Sequence, residues 1–386
     1  MRFSVDAHAI GRHLTGNEVY VRNLLIGLAA LDQNAEFVAY LSKNVNGSAA
    51  AVPDRFLLRH VSDNAFVRLG IDLPRRLRAD LPDLLHVQYT APLGCPVPVV
   101  VSVHDVSFIE HPEYFPWTRV LQLRATVRRT VERAVKVIAP SEFSRRSILT
   151  AYQLPPDKIT VIPPGVAPGF RPVARQKAAS FIRSAFGLER PFVLTVGDLQ
   201  PRKNQIGLIQ AFEQLIHCNP ELPHELVIVG QKTWFSDRIV EYASRSRVAS
   251  RIRFTGFVND NDLLHLYNSC DLMAFPSFYE GFGLPIVEAM ACGCAVACSN
   301  TSAMAEVAES AAILFDPHSS ADIARVLEAV LTNSELRSRM QRLGLQRASV
   351  FTWERTARQT LDIYHQVAGD TMQSRENTGR VTAIPR

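Results

Sequence analysis

The sequence predicts an α/β protein of two doubly wound parallel-sheet domains. Three observations lead there. Short apolar, β-rich runs alternate with helical patterns from end to end. The series breaks at a proline- and glycine-rich stretch and then restarts. The chain of 386 residues holds two or three domains of the usual ~150 residues. Alternating β and α elements imply parallel sheets with both faces covered by helices.

The first series offers RFSVDA, EFVAYLS, FLLRHV, LLHVQY, VPVVVSVHD, KVIAPS and KITVIPP as strands, with helical stretches at Asn17–Leu31 and Trp117–Ala134. VPVVVSV and KVIAP are near-continuous Val/Ile runs, the pattern of strands buried on both faces. Over Pro163–Ala174, Pro163, Pro164, Gly165, Pro168, Gly169 and Pro172 interrupt all periodicity and mark a boundary. The second series is PFVLTVG, HELVIVG, RIRFTG, DLMAFPS, CAVACS and AAILFDP, each followed by a helix-like segment. This gives an N-terminal domain over 1–168 and a C-terminal one over 169–350. The last helices run to about Val367, and 369–386 reads as a disordered tail. In open α/β sheets, ligands bind beyond the carboxyl ends of the strands at a topological switch point. With two such sheets facing each other, the site is expected in the cleft between them.

Composition excludes several classes. With 47% hydrophobic and 20% charged residues, the chain is neither disordered nor collagen-like. A net charge of +5 does not call for nucleic acid. No apolar run approaches the ~18–20 residues that span a bilayer, and the N-terminus shows no apolar signal core. Six scattered cysteines do not read as a disulfide framework. A cytoplasmic protein is expected.

The most informative stretch is DLMAFPSFYEGFGLPIVEAMACG, Asp271–Gly293. A strand leads into a loop with Gly281 and Gly283, and Pro285 suits the first turn of a helix. A helix N-terminus with exposed amides binds anions such as a diphosphate. Glu280 and Glu288 flank that turn and can accept from sugar or ribose hydroxyls. An arbitrary pair at this spacing would be a cap and a solvated helix residue; the glycines, the proline and the buried strand weaken that account. In PFVLTVGDLQPRKNQIGLIQAF, Gly197 opens the loop after a strand and Arg202 and Lys203 follow it. Adjacent basic residues are usually surface, but these stand where the fold rule places a ligand, and they suit phosphate oxygens.

GDLQPRKN, YEGFGLPIVEAMACG and CAVACSNTSAMAEVAE together resemble the family-4 retaining glycosyltransferases of the GT-B fold, and YEGFGLPIVEAMACG with the N-terminal DAHAIGRHLTGNEVYVRNLL looks most like the bacterial mannosyltransferases among them. The likeness is strongest over 190–316 and extends to VHDVSF, SEFSRRSI and PPGV. FTWERTARQTLDIY resembles the helix, about 353–367, that crosses back to the first domain. The resemblance implies that Arg202 and Lys203 hold the donor diphosphate, that Glu288 accepts from the ribose and that Glu280 accepts from the transferred sugar. Gly197, Gly281, Phe282, Gly283 and Leu284 complete the donor set. Gly16, in His13–Asn17, resembles the family's glycine turn facing the diphosphate. His104 resembles the family histidine near the donor sugar, with Asp105 on the acceptor side; a lone histidine at a strand end is otherwise structural. Retention of configuration is implied, with the departing phosphate taking the acceptor's proton and no side-chain nucleophile.

No metal and no cofactor are expected, only a nucleotide-sugar co-substrate: GDP-mannose first, a UDP-hexose next. Asp260-Asn261-Asp262 spells D-x-D, but it opens a helix and reads as a cap and first-turn acidic pair. Cys292, Cys294 and Cys298 read as small buried residues. The acceptor is expected to be a glycan or lipid-linked saccharide of surface polysaccharide assembly. A nucleotide-sugar epimerase of the same architecture is the alternative. Eight basic residues between Arg119 and Arg146 face only Glu132 and Glu142. They are either a solvated face or a contact for anionic lipid on the inner face of the plasma membrane.

Overall fold

The computed structural model describes residues 1–12, 15–43 and 52–381. The chain forms two compact units: Met1–Gly165 with Thr352–Arg386, and Val166–Phe351.

In the first unit, seven parallel strands, β1 Arg2–Asp6, β2 Glu36–Ser42, β3 Phe56–Val61, β4 Leu84–Gln88, β5 Val99–Ser102, β6 Lys136–Ala139 and β7 Ile159–Val161, lie in the order β3-β2-β1-β4-β5-β6-β7. In the second, β8 Phe192–Val196, β9 Glu225–Val229, β10 Ile252–Gly256, β11 Leu272–Phe275, β12 Val296–Ser299 and β13 Ile313–Phe315 lie in the order β10-β9-β8-β11-β12-β13, again parallel throughout. Every strand falls within one of the runs expected from the sequence. In both sheets the order reverses beside the first strand, placing switch points at β1/β4 and β8/β11.

Side chains alternate across each strand, so one strand feeds two cores. In β2, Phe37, Ala39 and Leu41 join Phe3, Leu24 and Leu28, while Val38 and Tyr40 join Val87, Val101 and Val131 on the other face. The first of these cores includes Trp353, Ala357, Leu361, Tyr364 and Ala368 of the last helix, Trp353–Val381, at the three- and four-residue spacing of one helical face. The second unit packs Leu208, Phe212, Val326 and Val330 on Val193, Leu226 and Leu272.

Two expectations need amending. The last helix runs on to Val381, so the disordered tail expected from 369 is helical over most of its length. That stretch has no apolar stripe, and periodicity therefore could not reveal it. Gly16 and Asn17 lie in the first turn of the helix Thr15–Leu31 rather than in a preceding loop; His13 lies outside the described residues.

Candidate active site

At the β8/β11 switch point the chain presents two loops. After β8, a tight turn over Pro201–Lys203 ends at Asn204, whose left-handed backbone (φ 53°) and side chain cap the helix Gln205–Cys218. After β11, the chain passes Ser277–Gly283 into the helix Leu284–Ala291. Gly283 (φ 96°) starts that helix in a conformation that L side chains rarely adopt, and no side chain caps it. Its first-turn amides follow a proline at the helix start, the arrangement that receives anions.

The two loops are joined by charge. Glu280 accepts from Lys203 Nζ at 2.6 Å and pairs with Arg202 Nη1 at 3.0 Å. Arg202 also donates to the carbonyl of Tyr279, and its own carbonyl accepts from the Phe278 amide at 2.9 Å. Lys203 Nζ lies 5.1 Å from the centre of the Phe275 ring. At Gly197 a Cβ would stand 3.2 Å from Cδ and Cε of Lys203, so glycine there leaves the lysine its path. The loop after β12 closes the group, with Ser302 Oγ accepting from the Glu280 amide at 2.9 Å and Thr301 donating to the carbonyl of Phe278.

Glu280 is buried, which alone would raise its pKa, but Arg202 and Lys203 outweigh burial and hold it at about 2. Burial lowers the pKa of Lys203, and Glu280 opposes that shift. Two positive charges thus stand beside Glu280 at the carboxyl ends of the strands, with Asp198 also within electrostatic reach of both. Glu288, on the following helix, is also buried and accepts from Tyr267 Oη at 3.2 Å. Arg202, Lys203, Glu280 and the Gly281–Leu284 turn are thus brought together as the sequence suggested. Asp260 and Asp262 occupy the first turn of a helix capped by Asn259. Cys292, Cys294 and Cys298 are buried.

In the first unit, His104 and Asp105 follow β5. His104 Nε2 meets Gln88 Oε1 at 2.8 Å, and its ring packs edge-on against Tyr20, centre to centre 4.7 Å. Burial lowers its pKa to about 4, against the raising influence of Asp105. Asp105 turns back to cap its own loop, accepting from the amide and hydroxyl of Ser107 at 2.9 and 2.6 Å.

Three groups escaped the sequence reading. Gln88 ends β4. His86 is buried between Tyr364 Oη (2.5 Å) and Ser102 Oγ (2.8 Å), and burial lowers its pKa to about 3. Asp6, at the carboxyl end of β1, is buried and meets His8 Nδ1 at 3.0 Å. The D-x-H spacing across a strand end could have signalled this last pair.

Comparison with known proteins agrees with this architecture. Residues 14–170 match the model described as Glycosyltransferase Family 4, and residues 176–347 that of Glycosyl transferases group 1. The chain is 31% identical over 265 residues to the O-antigen chain mannosyltransferase B of Escherichia coli, covering 69% of each. It is 33% identical over 242 residues to the serotype-specific mannosyltransferase WbdA of Escherichia coli, a match over 60% of this chain and only 29% of that protein's length. Among solved structures, sucrose-phosphate synthase from Thermosynechococcus elongatus matches with a TM-score of 0.76 at 19% identity, over 96% of this chain and 100% of that one. WaaG, a glycosyltransferase involved in lipopolysaccharide biosynthesis, matches with a TM-score of 0.71 at 19% identity, over 94% and 99%. The chain belongs to the family-4 glycosyltransferases of the GT-B fold.

Proposed function

We propose that this chain is a retaining hexosyltransferase that takes mannose from GDP-mannose and delivers it to a glycan or lipid-linked acceptor in surface polysaccharide assembly. The observation that carries the reading is the Arg202–Lys203–Glu280 cluster at the β8/β11 switch point. Cleaving the glycosyl–phosphate bond leaves negative charge on a nucleotide diphosphate. Two cations held in place before the reaction stabilise that charge without reorganising, and the amides at the start of the Leu284–Ala291 helix add to them. No metal is required in this scheme. Glu280 stays ionised, so toward a sugar it can only accept hydrogen bonds, which suits hydroxyl recognition. Glu288 takes the ribose hydroxyls. The phosphate that leaves is the base for the incoming acceptor hydroxyl, on the face it has just vacated, and this gives retention. The mannosyltransferase relatives favour mannose; a UDP-hexose is the second donor.

Thermal unfolding with GDP-mannose, UDP-glucose and dTDP- and ADP-sugars tests the donor, since a ligand stabilises the state it binds. GDP-mannose should raise Tm most, and transfer should survive EDTA. Stabilisation by UDP-sugars alone would reassign the donor. A requirement for Mg²⁺ would remove Arg202 and Lys203 as the principal charge stabilisers.

A further inference from the structure

The side-chain amide of Gln88 cannot be turned either way. Its Nε2 donates to the carbonyl of Asn17 at 3.1 Å, an atom that can only accept. Its Oε1 therefore faces His104 Nε2, and an amide oxygen can only accept. His104 must then carry its proton on Nε2, which leaves Nδ1 as the ring nitrogen with a lone pair to offer.

We propose that Gln88 is a positioning residue that fixes the Nε2–H tautomer of His104, so that His104 meets a sugar hydroxyl as a hydrogen-bond acceptor through Nδ1. This deepens the glycosyl-transfer reading and rests on it. A histidine in a reaction site is commonly oriented by a carboxylate, which also makes it more basic. Here the nearest carboxylate, Asp105, is engaged by Ser107, and a neutral amide does the orienting. The other groups around the imidazole do not supply a countercharge. The rings of Tyr20 and Tyr89 pack edge-on with it, centre to centre 4.7 and 5.6 Å, Ser144 donates to the backbone carbonyl of His104, and His86, whose pKa burial lowers to about 3, carries no negative charge. Burial then keeps the ring neutral. Gln88 thus selects a tautomer without raising basicity, and the same amide anchors the first turn of the helix Thr15–Leu31.

The test is a nitrogen–proton correlation spectrum of the full chain carrying ¹⁵N-histidine, with His104 assigned through His104→Gln. His104 should show a protonated Nε2 and a bare Nδ1, and should not titrate between about pH 5 and 8, whereas an ordinary histidine titrates near about 6.5. A protonated Nδ1, or titration near the ordinary value, overturns the assignment. In turnover, Gln88→Leu should lower kcat/KM on the order of tenfold, the share of one neutral hydrogen bond. Gln88→Glu places a carboxylate on Nε2–H, so it should move the titration of His104 upward and bring a new limb into the pH–rate profile. A Gln88→Glu enzyme with the wild-type profile overturns the positioning role. The spectrum needs no substrate, so failure of the tautomer is seen apart from failure of glycosyl transfer, which appears only in the turnover measurements.

Discussion

Lys203 and Glu280 stand 77 residues apart in the sequence and 2.6 Å apart in the structure, each on the loop that follows a strand flanking the switch point. Arg202 pairs with the same carboxylate at 3.0 Å, so Glu280 is the shared counter-ion of both cations.

If Glu280 serves as that counter-ion, Glu280→Gln keeps the shape and raises the net charge of the cluster. Isothermal titration should show GDP binding at least as tightly as to wild type, and more tightly at low salt, while kcat falls tenfold or more for want of the sugar contact. Weaker GDP binding in the variant would show that the carboxylate's main service is to align the cations rather than to balance them.

Lys203→Ala and Glu288→Ala should part company in steady-state kinetics. Charge on the phosphate grows toward the transition state, so loss of Lys203 should act mainly on kcat. Ribose hydroxyls change little during reaction, so loss of Glu288 should raise the donor KM with a smaller effect on turnover. A Glu288→Ala enzyme with reduced kcat and unchanged donor KM would refute the division.

Acid should weaken the fold in two stages. An unfolded histidine takes its proton near about 6.5, whereas His86 and His104, held neutral by burial, do so only near about 3 and about 4. Between those values the unfolded chain binds more protons, so stability drops as pH falls from about 6.5 toward 4, by up to about 1.4 kcal/mol per pH unit for each group. Glu280 and Asp271 have folded values of about 2, so their contribution is complete above the ordinary carboxylate range and disappears as pH falls through about 2. Calorimetry between pH 7 and 5 should therefore show a falling Tm, with a shallower slope in His86→Gln. Equal slopes would mean that His86 is not the group being titrated.

The basic helix Trp117–Arg133 exposes Trp117 and Leu121 as well as arginines, although Arg128 is partly balanced by Glu132 at 3.6 Å. Among the described residues no helix is long and apolar enough to cross a membrane. Contact with anionic lipid would draw about 1 kcal/mol from each basic residue near the surface and weaken with salt. Co-sedimentation with anionic vesicles should fall at high salt and in the Arg124→Ala, Arg128→Ala, Arg129→Ala triple variant, with activity on a soluble acceptor retained. Equal sedimentation with neutral vesicles, or none, would return the helix to the solvated reading.

The strands were legible because strands buried on both faces carry unbroken apolar runs. Arg202, Lys203, Glu280 and Glu288 were legible because glycines and a proline mark the turns that hold them. What the residues could not disclose was partnership. Glu280 reads from its own loop only as an acceptor for sugar hydroxyls, since nothing there shows that both cations of another loop also close upon it. His86 and Gln88 lie in one apolar strand, LLHVQ, where a polar residue reads as an interruption until its partners on other elements are known. The short helical segments within Ala65–Asp72 were missed for a different reason: Phe66, Val67 and Ile71 are exposed, so no buried apolar face sets the period.

The last helix has a consequence for how the protein is made. Trp353, Ala357, Leu361 and Tyr364 complete the core of the unit that begins at Met1, and Tyr364 is bonded to His86. During synthesis the first unit's strands leave the ribosome early, yet one face of their sheet, shared with the helix Thr15–Leu31, stays incompletely covered until Trp353–Ala368 has been translated. The second unit, continuous in sequence, needs no such wait. A premature stop before Trp353 would therefore damage the unit that begins at Met1.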